Sequence, residues 1–189
     1  YEDAKRRGVA VGVACGLKNS GLGNGVVESG RARLEVVHEV HDDVNEVDDR
    51  STRSKPSQRS HRSQGPVVLA YAGFTEMGQG LFQKVAQVAA QVFGVGMEAV
   101  RITATDTSKV PNTSATAASS GSDLNGMAAR AACLQIRDRM AACIAARHQA
   151  APEDVVFTEG RVRVAGAGYS FAEAAGLAYQ ARVNLSANG

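Results

Sequence analysis

Two short runs of glycine and small hydroxylated residues each stand directly before a stretch with helical apolar spacing. The first is Gly73-Phe74-Thr75-Glu76-Met77-Gly78-Gln79-Gly80. The second runs from Pro111 to Gly126 and centres on Thr116-Ala117-Ala118-Ser119-Ser120-Gly121-Ser122. A helix N-terminus leaves backbone N–H groups unpaired and carries partial positive charge, so it suits anions. Glycine lets a ligand approach the backbone without meeting a Cβ. Two such turns in one chain predict a site that grips a large anionic ligand from two sides.

The flanking patterns place both turns in a fold. Residues 79–93 put Leu81, Val85, Val88 and Val92 on one stripe, widened by Phe82, Ala89 and Phe93; Gly94 and Gly96 close this helix. A second, long helix is expected over 120–148, capped by Ser119 or Ser120. Its apolar face is Ala129, Cys133, Ile136, Met140 and Ile144, with Arg137, Asp138 and Arg139 outside it and Gly126 permitting close packing. Strands are expected at 8–16, 31–37, 66–72 and 100–105, with turn-rich sequence at 18–30. A hairpin spans 154–165 and turns at Glu159-Gly160; Ser170 and Glu173 form a capping box for a helix over 171–179. Residues 183–189 enter a further element. The expected fold class is α+β, mixed sheets with packed helices.

Composition narrows the function. Of 189 residues, 44% are hydrophobic and 21% charged, which suits a soluble domain with a core. A net charge of +2 and an aromatic fraction of 5% without Trp argue against nucleic acid. No apolar stretch is long enough to span a membrane. Cys15, Cys133 and Cys143 form no C-x-x-C pair, so neither a zinc nor an iron–sulfur motif is expected. Buried thiols in the long helix fit a reducing cytoplasm. The chain begins with Tyr1, without Met or a signal-like segment, and reads as starting within a longer protein.

Between the second and third strands the character changes. Residues 38–64 are dominated by Asp, Glu, Arg, Ser and His, with only Val40, Val44 and Val47 to bury. This reads as a disordered insert at a hairpin tip, dividing a domain made of 1–37 and 65–189. His38, His41, Asp42 and Asp43 lack anything to preorganise them as metal ligands, and no metal site is expected. Its abrupt composition fits a shifted reading frame or unspliced sequence.

In the first turn, Gln79 offers an amide that both donates and accepts, matching a heterocycle edge or a phosphate. Glu76 reads as a capping acid near the positive helix end. Neither turn has the spacing G-x-x-x-x-G-K-[ST] or G-x-G-x-x-G, so ATP and NAD are poor candidates. His148, at a helix end, has no nucleophile beside it in sequence, and reads as a charged or exposed terminal histidine.

Both turns together resemble the molybdenum hydroxylase family, which includes xanthine dehydrogenases and aldehyde oxidases. Residues 73–80 resemble its G-[GF]-T-E-M-G-Q-G segment. Residues 110–126, Val-Pro-Asn-Thr-Ser-Ala-Thr-Ala-Ala-Ser-Ser-Gly-Ser-Asp-Leu-Asn-Gly, resemble V-P-N-T-S-x-T-A-A-S-x-x-x-D-L-N-G. The resemblance covers roughly 6–36 and 65–189. It implies a molybdenum–molybdopterin cofactor, its cytosine dinucleotide form being one option. The pterin would be lined by Met77, Gly78 and Gln79 on one side and by Ala118, Ser119 and Gly121 on the other. It also implies hydroxylation of a purine or aldehyde carbon with water-derived oxygen. Electrons would leave through 2Fe-2S clusters and FAD on other domains or subunits, the rest of the large subunit being a further partner.

The departures shape the expectation. No G-E-P-type segment carrying the family's catalytic glutamate occurs, nor do its G-G-x-F-G and F-R-G segments, so the chain is expected to hold part of a cofactor pocket and no catalytic residue. Around Lys18-Asn19-Ser20-Gly21, no Phe stands where purine-oxidising members clamp substrate, which leaves an aldehyde or another heterocycle open. Two other readings remain: a non-catalytic remnant acting as a structural or interaction domain, and a simple anion-binding domain for a nucleotide.

Overall fold

The computed structural model describes residues 6–8, 29–37, 67–103 and 113–189. The expected strand at 8–16 (beyond Gly8), the 18–28 turn, the 38–64 insert, Cys15 and the Ala104-Thr105 end of the third strand lie outside them.

Strand β1 (Ala32–Val37) alternates as its sequence dictates, with Ala32, Leu34 and Val36 buried and Arg31 and Arg33 turned outward. It pairs antiparallel with β2 (Val67–Ala72), and β2 pairs parallel with β3 (Val100–Ile102). Parallel neighbours require a crossover, and helix α1 (Leu81–Phe93) supplies it. The last strand of this sheet comes from the C-terminal stretch. Ser186–Asn188 lies antiparallel against the free edge of β1, giving the order β3-β2-β1 and then this strand. The further element expected near the C-terminus is thus a sheet partner of β1.

Helix α2 (Gly121–Arg147) matches the expected long helix to within a residue at each end. Ala129, Cys133, Ile136, Met140 and Ile144 are all fully buried. α2 packs along α1 and lies against β1 and the C-terminal strand. The buried side of α1 is rotated from the expected stripe. Leu81, Val85, Ala89 and Phe93 are buried together with Ala86 and Ala90, whereas Val88 and Val92 sit at the margin. Ala86, Ala89 and Ala90 join Leu81, Val85 and Phe93 on the buried side, and their small size lets the neighbouring elements approach closely. Gly126 meets only Val88 Cγ2, and a Cβ there would sit 3.9 Å away in ordinary contact. Its lack of a side chain is therefore not what permits the packing.

The hairpin forms as expected from β4 (Val156–Thr158) and β5 (Arg161–Val164), and a strand not anticipated, β6 (Ala167–Ser170), extends it to three. Helix α3 (Phe171–Gln180) follows, and the Ser170–Glu173 capping box is present in both directions. The C-terminal strand Ser186–Asn188 becomes β7. The two sheets meet at Gly94, which ends α1 in left-handed conformation (φ 61°). A Cβ there would lie 2.5 Å from Phe157 O, so only glycine fits. Gly160 N–H donates to Gly94 O at 2.6 Å, and the Phe93 and Phe171 rings stand 5.5 Å apart. The fold is the α+β class of mixed sheets with packed helices.

Two local expectations are corrected. Cys143 is half-buried, unlike Cys133, because it lies toward the margin of the α2 apolar face. His148 is half-buried and not fully exposed: its Nε2 and the Tyr169 hydroxyl share a hydrogen bond of 2.6 Å. Among the described residues, no helix is long and apolar enough to cross a membrane.

Candidate functional site

The two turns that precede α1 and α2 meet in space. Thr75 N–H donates to Thr116 Oγ1 at 2.9 Å, and Thr113 Oγ1 donates to Gly73 O at 3.3 Å. At the helix starts, a Cβ on Gly121 would approach Leu81 Cδ2 to 3.2 Å. The second turn is further tied to the start of β1. Ser29 N–H donates to Ser114 Oγ at 2.8 Å, and Ser114 N–H donates to Ser29 O at 3.0 Å. Gly30 lies so close to α2 that a Cβ would stand 2.5 Å from Leu124 C. These bonds join the turn that carries Met77, Gly78 and Gln79 to the turn that carries Ala118, Ser119 and Gly121.

The two halves differ in electrostatics, and this corrects the picture of two equivalent anion-seeking helix ends. At α1, Glu76 occupies the end itself. Its Oε1 accepts from Gly78 and Gly80 N–H, both at 2.9 Å, and its Oε2 accepts from Phe82 N–H at 3.0 Å. These backbone bonds, that from Phe82 foremost, hold the Glu76 carboxyl below the usual range. The carboxylate spends the orphan amides and offsets the positive helix end. Gln79 is also committed: its Oε1 accepts from Met77 N–H at 2.6 Å and its Nε2 donates to Thr75 O at 2.9 Å. For that amide to reach a ligand, it must leave both partners.

At α2 the helix end stays open. Ser120, the N-cap residue, makes no side-chain cap bond, and its Oγ donates to Ala117 O at 3.2 Å instead. The expected serine cap is thus absent, because the hydroxyl closes the preceding turn. Among the described residues, the N–H groups of Gly121, Ser122 and Asp123 have no partner in any hydrogen bond. Directly before them, Ala118 (φ 52°) and Ser119 (φ 60°) are both left-handed. Consecutive non-glycine residues in that region store strain of about 1–3 kcal/mol each and concentrate at ligand sites. One turn into α2, the Asn125 amide donates to Gly121 O at 3.0 Å, while its Oδ1 is buried without a partner.

The unit thus has open backbone donors on one side. On the other is an exposed loop with Met77 two-thirds exposed, open space where a Cβ on Gly78 would stand, and only Gln83 Oε1, 4.0 Å away, near one on Gly80. This set suits a flat, polar heterocycle bearing an anionic arm. A nucleophile–base pair is not among these residues, and among the described residues no group of three or more His, Cys, Asp or Glu side chains gathers.

Comparison with known proteins shows the family. The family model described as "Molybdopterin cofactor-binding domain" matches residues 1–189. The chain belongs to that family. A xanthine dehydrogenase from Blastobotrys adeninivorans is 43% identical over 125 residues, which is 66% of this chain and 8% of that protein. A nicotinate hydroxylase from Emericella nidulans is 51% identical over 78 residues, 41% of this chain and 6% of that protein. Among solved structures, quinoline 2-oxidoreductase from Pseudomonas putida 86 superposes with a TM-score of 0.63 at 23% identity, covering 87% of this chain and 19% of that one. The chain thus spans less than a tenth of the length of the curated relatives it matches. Glu76 sits at the α1 end as the capping acid expected from sequence. The pairing of Thr75 with Thr116 and the place of Asn125 were not expected, since each depends on elements brought together only by the fold.

Proposed function

We propose that this chain supplies molybdopterin-holding loops to a molybdenum-dependent hydroxylase. Met77, Gly78 and Gln79 form one wall of the pterin site; Ala118, Ser119 and Gly121 form the other. The observation that carries this reading is the junction of the two turns at Thr75 and Thr116, beside the open first turn of α2. The α2 amides bind an anionic arm of the ligand, and the glycines at 78 and 80 admit its ring close to the backbone. Gln79 exchanges its intraloop bonds for ligand contacts. The Asn125 carbonyl oxygen is an acceptor close to the Gly121 end of α2.

The bound group supplies the redox chemistry. The reaction in this reading is oxidative hydroxylation of a purine or aldehyde carbon with water-derived oxygen; relatives named xanthine dehydrogenase and nicotinate hydroxylase support the oxidoreductase class. The substrate is a small molecule that reaches the cofactor from the remainder of the large subunit. The cofactor carries either molybdopterin or its cytosine dinucleotide form. 2Fe-2S and FAD groups on other domains or subunits take the electrons, in a cytoplasmic enzyme. The catalytic residues lie outside this chain.

Molybdenum content of the full-length enzyme tests the reading. Gln79→Ala is expected to lower occupancy severalfold at unchanged protein yield, since the amide that contacts the ligand is lost. Wild-type occupancy in Gln79→Ala and in Ser119→Pro alike contradicts it.

A further inference from the structure

Glu76 stands where the two halves of the site connect. Its neighbour Thr75 is tied to the second turn, and the three residues after it form the first wall. Its carboxylate is the point around which that wall is wound. The N–H groups of Gly78, Gly80 and Phe82 converge on its two oxygens, and Gln79 closes a second ring onto Thr75 and Met77. Gly78 (φ 96°) and Gly80 (φ 73°) take the left-handed turns that aim their N–H groups inward. The winding demands acceptors at both oxygens. A neutral amide of the same size has one acceptor and turns an NH₂ group toward another donor.

We propose that Glu76 is the positioning residue of this loop: its carboxylate holds Met77, Gly78 and Gln79 in the ligand-receiving conformation and neutralises the α1 end, leaving the α2 end as the anion-binding side. This rests on the assignment of residues 77–79 to the pterin site. Glu76 touches neither cofactor nor substrate in this role. It acts through the backbone that it gathers, as a charge-assisted acceptor of three amides.

The test uses the full-length enzyme with Glu76→Gln, Glu76→Asp and Gln79→Ala. In cofactor-free enzyme, amide hydrogen exchange at Gly78, Gly80 and Phe82 is expected to accelerate about tenfold or more in Glu76→Gln, while residues 132–144 of α2 keep their protection. In loaded enzyme, pterin release, followed by fluorescence of the oxidised pterin, is expected to quicken by about the same factor in both Glu76 variants. The KM for substrate in the loaded fraction stays at the wild-type value. A role in spacing alone predicts rescue by Glu76→Gln. Full rescue, or wild-type exchange and release in both Glu76 variants, overturns the proposal. If release quickens in Gln79→Ala and not in the Glu76 variants, the role of Glu76 falls and the site assignment stands. If Gln79→Ala is also unchanged, the site assignment falls with it. Should the Glu76 variants fail to accumulate, acid titration of the wild-type chain decides. The groups that gather on this carboxylate are backbone amides, so protection at Gly78 and Gly80 is expected to be lost as pH falls through the Glu76 carboxyl, and a flat profile overturns the proposal.

Discussion

The backbone N–H of Thr75 donates to the hydroxyl of Thr116 at 2.9 Å across 41 residues of sequence. This bond makes one unit of the turns before α1 and α2. Thr116→Val removes the acceptor at nearly constant shape. It is expected to cost about 0.5–1.5 kcal/mol in urea unfolding. Amide exchange at Thr75 should rise with it, and cofactor occupancy should fall. Wild-type exchange at Thr75 in the variant would show that the turns are held together by other contacts.

Glycines at 94 and 126 make opposite demands, although both belong to helical sequence. Gly94 needs a left-handed backbone and faces Phe157 O at a distance no Cβ tolerates. Gly94→Ala is expected to destabilise by about 1–3 kcal/mol from backbone strain, and further from the clash. Gly126→Ala adds a methyl group in ordinary contact with Val88 inside a long helix. It is expected to stabilise by about 0.5–1 kcal/mol. Paired denaturation curves check this, and a reversed order of stabilities contradicts the packing described.

The outline of the fold was legible where one side chain set one local outcome. The alternation of β1, the α2 face from Ala129 to Ile144 and the Ser170–Glu173 box each follow from period or local chemistry. What depended on distant partners was not legible. β6 is short and contains Gly168, so it carries little strand signal; its pairing with β5 makes it a strand. The buried side of α1 was misplaced toward Val88 because hydrophobicity outweighed the small size of Ala86 and Ala90, which is what close packing selected. The proposed site residues rest on motif resemblance. Glu76 was seen as a capping acid, but its hold on three amides and the self-bonding of Gln79 require loop coordinates.

The cysteines provide a check on burial. Cys133 is fully buried, and desolvation pushes its thiol up to about 12. Cys143 lies half-buried beside Arg147 and Ala146 at a shallow groove closed by Val183. The thiolate is the reactive species, so Cys143 is expected to be alkylated by iodoacetamide in native protein and Cys133 only after unfolding. Mass spectrometry of the labelled peptides decides, and labelling of both at one rate contradicts the placement of α2.

Acid is expected to weaken α3 at its start. Glu173 Oε2 accepts from the Ser170 N–H at 2.7 Å and from its hydroxyl at 2.8 Å, and these bonds lower the Glu173 carboxyl below its ordinary value of 4.5. A carboxyl lowered in the folded state contributes stability that is complete above its unfolded value. That contribution is lost as pH falls through the folded one. Ser170→Ala is expected to cost about 1 kcal/mol at pH 7. The gap from wild type should narrow below pH 4.5, as read by circular dichroism during denaturation. A gap that widens on acidification contradicts the capping geometry.

The central claim is that both turns hold one molybdopterin. Its most direct measurement is amide hydrogen exchange of the full-length enzyme, compared between cofactor-free and molybdenum-loaded forms, across residues 75–82 and 117–123. Loading is expected to slow exchange in both segments together, most strongly at Gly121, Ser122 and Asp123, whose N–H groups are open. Protection gained in one segment alone, or in neither, would contradict it.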